Sequence, residues 1–168
     1  LGSGADVICL QEVQYEREGD DPAGGASEFS LPAWLRLPGY EARLPAQKQL
    51  ADIAARNERV LRTAAAIGNA VLVRTDRLVL APPPPREKDA TTRVLVTVEG
   101  RAGSGLEALG PTAVASVHLD AKDEEQRVKQ LGKCVDLAAA SGTRELIVCG
   151  DMNSELLPGS CVRAFLAD

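Results

Sequence analysis

The chain alternates short apolar runs with polar, glycine-rich or charged segments. Val7-Ile8-Cys9-Leu10 is a four-residue apolar run, the pattern of a strand buried on both faces. Residues 16–28 are charged and rich in glycine and predict a loop. Phe29, Trp34, Leu35 and Leu37 then suggest the apolar face of a short helix that ends before Pro38-Gly39. Leu50, Ile53, Ala54 and Leu61 predict a helix over 47–64, with Arg56, Arg59 and Arg62 recurring on it every three residues. Ala70 to Val73 and Leu78 to Leu80 flank Thr75-Asp76-Arg77 and predict two strands joined by a tight turn. Pro82 to Pro85 predict a stiff connection, followed by the solvated stretch Arg86 to Asp89.

Arg93 to Glu99 alternates, with Val94, Val96 and Val98 on one side and Leu95 and Thr97 on the other, so a strand is expected there. A loop over 100–111 separates it from a strand over Ala113 to Leu119. Lys122 to Ala140 gives the clearest helix. Val128, Leu131, Val135 and Ala138 fall on one face, Asp123, Glu124 and Glu125 occupy the first turn, and Ser141-Gly142 stops it. Leu146 to Cys149 is a further buried strand, and Gly150-Asp151-Met152-Asn153 follows at once. No repeat and no internal domain boundary is visible. Strands with interposed helices and a late strand-helix-strand unit suit an α/β fold whose sheets are covered by helices.

Composition narrows the function classes. The 168 residues make about one domain, 45% of them hydrophobic. A net charge of −5 excludes a generally basic coat for nucleic acid. Aromatic residues at 3% argue against a surface of base-stacking platforms. A single His excludes a Cys/His zinc cluster. The four cysteines form no C-x-x-C pair; Cys9 and Cys149 fall in strand runs, where a small buried thiol is expected. Unpaired cysteines also point to a reducing, intracellular setting. No apolar run is long enough to span a bilayer.

Polar residues stand at the strand ends, where a rigid sheet fixes side chains yet leaves them accessible. Glu12 follows the first strand; it suits a hard-metal ligand, and equally a capping or ion-paired Glu. Asp151 and Asn153 lie two apart beyond Gly150, a spacing that serves metal, water and phosphate binding or an Asx turn. His118 near the end of its strand is either a satisfied core histidine or a group for a phosphate oxygen. Asn69 after Gly68 reads as a turn residue or as a polar group at a strand start. Arg93 joins it as a candidate phosphate contact, as do Arg56, Arg59 and Arg62, which otherwise form a solvated helix face.

Together these segments are far more specific than any one of them. Ala5 to Val13 (ADVICLQEV) resembles the first metal-ligand motif of the endonuclease/exonuclease/phosphatase superfamily. Gly68 to Leu72 resembles its central strand motif, Ser116-Val117-His118-Leu119 its T-x-H-L-type strand, and Ile147 to Asn153 its G-D-x-N motif, all in the family's order. The resemblance implies a four-layer α/β sandwich of deoxyribonuclease type and hydrolysis of a phosphate ester, with nucleic acid among the substrate classes. It implies Mg²⁺, with Mn²⁺ as an alternative, bound by Glu12 and Asp151. It makes Asp151 the residue that orients the attacking water, Asn153 a contact to phosphate or metal, and His118 a support for the transition-state phosphate. Leu37-Pro38-Gly39-Tyr40 resembles the deadenylase/nocturnin branch, and Arg127 to Leu131 fits the tyrosyl-DNA phosphodiesterase branch as well. The family's earlier Asn strand and its final Ser-Asp-His-type motif have no counterpart; no His follows His118. The expectation is therefore a fragment of the domain, incomplete at both ends and inactive alone. A non-catalytic binding module on the same fold is the alternative.

Overall fold

A computed structural model describes residues 4–18, 28–82 and 92–167 of the chain. Two four-stranded sheets pack face to face. The first has the order β2-β1-β4-β3, from β1 (Val7–Glu18), β2 (Glu28–Ser30), β3 (Tyr40–Arg43) and β4 (Ala66–Arg74), all antiparallel. The second has the order β5-β6-β7-β8, from β5 (Leu78–Leu80), β6 (Arg93–Gly100), β7 (Thr112–His118) and β8 (Glu145–Asp151). Its β7–β8 pair is parallel. A parallel pair needs a crossover, and helix α2 (Glu124–Ala140) supplies it.

Alternation along the strands builds three apolar layers. Val71 and Val73 of β4 meet Val94, Val96, Val98 and Val114 between the sheets. On the outer side of the first sheet, Leu50 and Ala54 of helix α1 (Gln47–Leu61) pack on Val13, Ala66, Ala70 and Leu72. On the outer side of the second, Leu131, Cys134 and Ala138 of α2 and Val162 of helix α3 (Cys161–Ala167) cover Leu95, Ala113, Ala115 and Val117. The result is the four-layer sandwich that the motifs imply: helix, sheet, sheet, helix.

Several local expectations change. Phe29 belongs to β2 and is buried, and only a single 3-10 turn forms at Ala33–Leu35, with Trp34 71% exposed. Pro32 and Pro38 leave too few residues between them for a helical nucleus. β1 runs on through Glu18, so residues 16–18 are strand; residues 19–27 of the expected loop lie outside the described residues, as do 83–91 and the solvated stretch there. β4 and β5 do not pair. The turn after Arg74 is a corner that carries the chain from the first sheet to the second, with Val73 and Leu78 both buried in the layer between. β8 is an edge strand rather than a strand buried on both faces. Leu146 and Val148 pack under α2, while Ile147 is 51% exposed and Cys149 is exposed. Among the described residues no helix is long and apolar enough to cross a membrane.

Candidate functional site

The site forms where an irregularity in the middle of β1, rather than the strand end that the sequence suggests, meets the ends of β7 and β8. The β1–β4 register shifts between Leu10 and Val13, and Glu12 sits in that irregularity with φ 54°. A left-handed backbone costs a non-glycine residue roughly 1–2 kcal/mol. Bulges of this kind bend a strand and re-aim a side chain. Here the bulge turns the Glu12 carboxylate out of the sheet, its side chain 73% exposed, and brings Oε1 to 3.9 Å from His118 Nδ1. Glu12 and His118 lie on different sheets, so this contact spans the sandwich.

His118 closes β7 and is the parallel register partner of Asp151, the last residue of β8. The two chains stay coupled past their ends, since Leu119 N–H donates to the Asp151 carbonyl at 2.9 Å. Gly150 makes that close approach feasible. Its φ is 140°, and a Cβ built on it would lie 2.0 Å from the Val117 carbonyl oxygen. Asp151 Oδ1 accepts from the Asn153 backbone N–H at 2.8 Å, the Asx turn weighed as the plain alternative. The turn does not displace the functional reading; it fixes the carboxylate. Asn153 adopts φ 46°, which asparagine tolerates, and its Nδ2 donates to the Leu119 carbonyl at 2.8 Å. One amide proton and the amide oxygen remain beyond that bond.

Asn69 occupies a different role from the phosphate contact expected of it. It is buried, and its Nδ2 donates to the carbonyls of Thr92 at 3.2 Å and Ser116 at 3.0 Å, both on the second sheet. It ties the sheets together beneath the site and has no surface to offer a substrate. Tyr15 donates its hydroxyl to the Asn69 carbonyl, and burial pushes that phenol above its ordinary range. Gln11 and Ser116 were not singled out by the sequence, although Gln11 adjoins Glu12. Gln11 Nε2 donates to Ser116 Oγ and Ser116 Oγ donates to the Leu10 carbonyl, both at 2.9 Å, so they hold β1 on β7 just before the bulge.

Arg93 is buried as well, and the alternation of β6 puts it with Leu95 on the α2 side of the second sheet. It lines a groove of about 580 Å³ with Gln126, Lys129, Gln130 and Lys133, on the opposite face of that sheet from the inter-sheet layer. The structure does not bring it to Glu12. Arg56 and Arg59 are exposed on α1, as a solvated helix face is. A second groove of about 590 Å³ runs along Leu10 to Glu16, with Pro32 and Trp34 on its far wall. It leaves room for a substrate beside Glu12.

Glu12 and Asp151 offer hard oxygen donors. Mg²⁺ takes one or two carboxylates and completes its shell with water and phosphate oxygen. Glu12 stands 3.9 Å from His118, and His118 is the register partner of Asp151; among the described residues no group of three or more His, Cys, Asp or Glu that could hold a metal is present.

A bulged Glu, a strand-end His and an Asp-x-Asn turn gathered at one end of a two-sheet sandwich define a class of protein. The sequence pattern of the Endonuclease/Exonuclease/phosphatase family matches residues 1–163, and the chain belongs to that family. Among solved structures, the human Nocturnin catalytic domain with bound sulfate anion superposes with a TM-score of 0.54 at 21% identity, over 94% of this chain and 54% of that one. ANGEL2, described as a 2′,3′-cyclic phosphatase, gives 0.55 at 19% identity, over 97% and 43%. A humanized D. rerio TDP2 gives 0.50 at 15% identity, over 96% and 53%. At these identities the likeness is one of fold. The chain spans about half the length of the structures it matches. No curated protein matches it.

Proposed function

We propose that this domain hydrolyses phosphate esters with the help of a divalent cation, Mg²⁺ or Mn²⁺, at the junction of Glu12, His118, Asp151 and Asn153. One observation carries the reading: a strained backbone holds the Glu12 carboxylate outside its sheet and 3.9 Å from a histidine of the facing sheet. Strain held at one polar residue beside a groove points to function rather than to packing. Glu12 and Asp151 are the residues that would hold the cation. Bound there, the cation would offset the negative charge that develops on phosphorus oxygens.

The remaining steps belong to side chains. Asp151, fixed by the Asn153 N–H, orients the attacking water and accepts its proton. Asn153 directs its second amide proton at a phosphoryl oxygen. His118, whose Nδ1 lies 3.9 Å from Glu12, donates to another as the phosphorus becomes five-coordinate. The family membership and the hydrolase neighbour ANGEL2 support phosphoester chemistry. They leave the substrate open, and nucleic acid is the class to test first.

The test is a hydrolysis panel on the full-length protein that carries this chain: poly(A) RNA, abasic duplex DNA, 5′-tyrosyl DNA, a dinucleotide phosphate cofactor and an inositol phosphate. Each is run with Mg²⁺, with a chelator, and with Glu12→Gln. The expected result is chelator-sensitive cleavage of one substrate, reduced at least about 100-fold by the substitution. Cleavage indifferent to chelator and substitution contradicts the proposal, and silence from a folded protein favours a binding module.

A further inference from the structure

Two cysteines that the proposed chemistry does not use face each other across the sandwich. On β1, Ile8 and Leu10 pack toward α1, so the alternate residues Val7 and Cys9 point into the layer between the sheets. On β8, Leu146 and Val148 pack toward α2, so Ile147 and Cys149 point into the same layer from the other side. The β1 segment Val7–Leu10 pairs only with β4, and β8 pairs only with β7, so both strands present a sheet edge here among the described residues. Ser116, the register partner of Cys149, is itself bound to Leu10 and Gln11, which brings the two edges together. Burial pushes the Cys9 thiol up, and Cys149 stands near enough to add to that shift. Cys134 is buried on the inner face of α2 and Cys161 lies on α3, so neither shares this place.

We propose that Cys9 and Cys149 form a reversible intramolecular disulfide under mild oxidation, a modification site that staples the two sheets just behind the candidate active site. Cys149 is exposed and meets the oxidant first, while Cys9 is half-buried behind it. With hydrogen peroxide as oxidant, the Cys149 sulfur takes a hydroxyl group to become a sulfenic acid and one water leaves. The Cys9 sulfur then attacks that sulfur. Its proton departs with the sulfenic hydroxyl as a second water, and the S–S bond forms. Two thiols are oxidised by two electrons and one peroxide is reduced to two waters. A dithiol reverses the step by exchange. The bond needs Cα atoms within roughly 7 Å, and the Ser116 bond to the Leu10 carbonyl draws the two strand edges together beside these thiols. Cys149 lies two residues before Asp151 and Cys9 three before Glu12, so the staple would lock the strands that position both carboxylates.

The experiment is peptide mapping without reductant after stoichiometric peroxide, with free thiols alkylated first. The expected product is a monomer, lighter by two hydrogens, whose Cys9 and Cys149 peptides are linked and are released by dithiothreitol. In Cys9→Ser, checked for folding by circular dichroism, Cys149 is expected to persist as a sulfenic acid captured by dimedone. Linkage of Cys149 to Cys161, a disulfide between two chains, or a stable Cys149 sulfenic acid in the unsubstituted protein would each overturn the proposal. The unsubstituted protein alone decides the case if the variant fails to fold.

Discussion

Glu12 concentrates the argument at the scale of single residues. A carboxylate with φ 54° at a strand irregularity is a local cost that packing does not explain, because its side chain is 73% exposed. If the strain is held for function, removing the side chain should relieve it. Glu12→Gly is expected to raise unfolding stability by about 1 kcal/mol, since glycine enters the left-handed region freely. Glu12→Gln keeps the Cβ and should leave stability within about 0.5 kcal/mol. Urea unfolding of the three proteins checks this, and a loss of stability in Glu12→Gly would show that the residue is structural. Glu12, His118, Asp151 and Asn153 could be named from the sequence because their motifs are short and contiguous. Their alternatives could not be closed there. An Asx turn and a water-orienting Asp use the same residues, and the structure shows the turn. For Asn69 and Arg93 the local pattern decides nothing, because it does not tell a polar residue that faces a substrate from one whose protons go to backbone carbonyls or that sits beneath a helix.

Strands and helices of regular period were legible as elements, and their partners were not. The strands β6 and β7 follow the apolar spacing closely. On the helix over Glu124–Ala140, Cys134 lies on the buried face with Leu131 and Ala138 while the expected Val135 is 48% exposed, and β8 has one exposed face. The strand pair on either side of Thr75-Asp76-Arg77 looks like a hairpin in the sequence, yet its halves join different sheets. A tight turn sets the length of a connection and not the sheet that the next strand enters. The β1 bulge is equally silent, because an extra residue in a strand changes no periodicity that a short run can show. Gly150 is the element-level feature that sequence did flag and the structure explains. β8 must pass the Val117 carbonyl at a distance that admits no Cβ. Gly150→Ala is therefore expected to cost about 3 kcal/mol or more, from a backbone unfavourable to L residues plus a displaced strand end. Thermal unfolding measures it; a cost below about 1 kcal/mol would mean that the β7–β8 ends are not held as described.

The molecule as a whole carries a net charge of −5, and the proposed site uses two of its carboxylates. An anionic ester would be repelled from such a site unless a cation reversed the local potential. The domain's proposed chemistry thus depends on metal twice, once for approach and once for charge that develops at phosphorus. The two-sheet frame makes this economical. Glu12 comes from one sheet and His118 and Asp151 from the other, so Glu12 meets His118 only when both sheets and the layer between them are in place. The most direct measurement uses the chain's single histidine as a reporter. Mn²⁺, added in small amounts to the folded protein, should broaden the His118 imidazole proton signals in NMR spectra before most others. Mg²⁺ in excess should restore them, and Glu12→Gln should require at least about 10-fold more Mn²⁺ for the same broadening. His118 signals that stay sharp while others broaden, or broadening unchanged by Glu12→Gln, would contradict a cation at the junction of the two sheets.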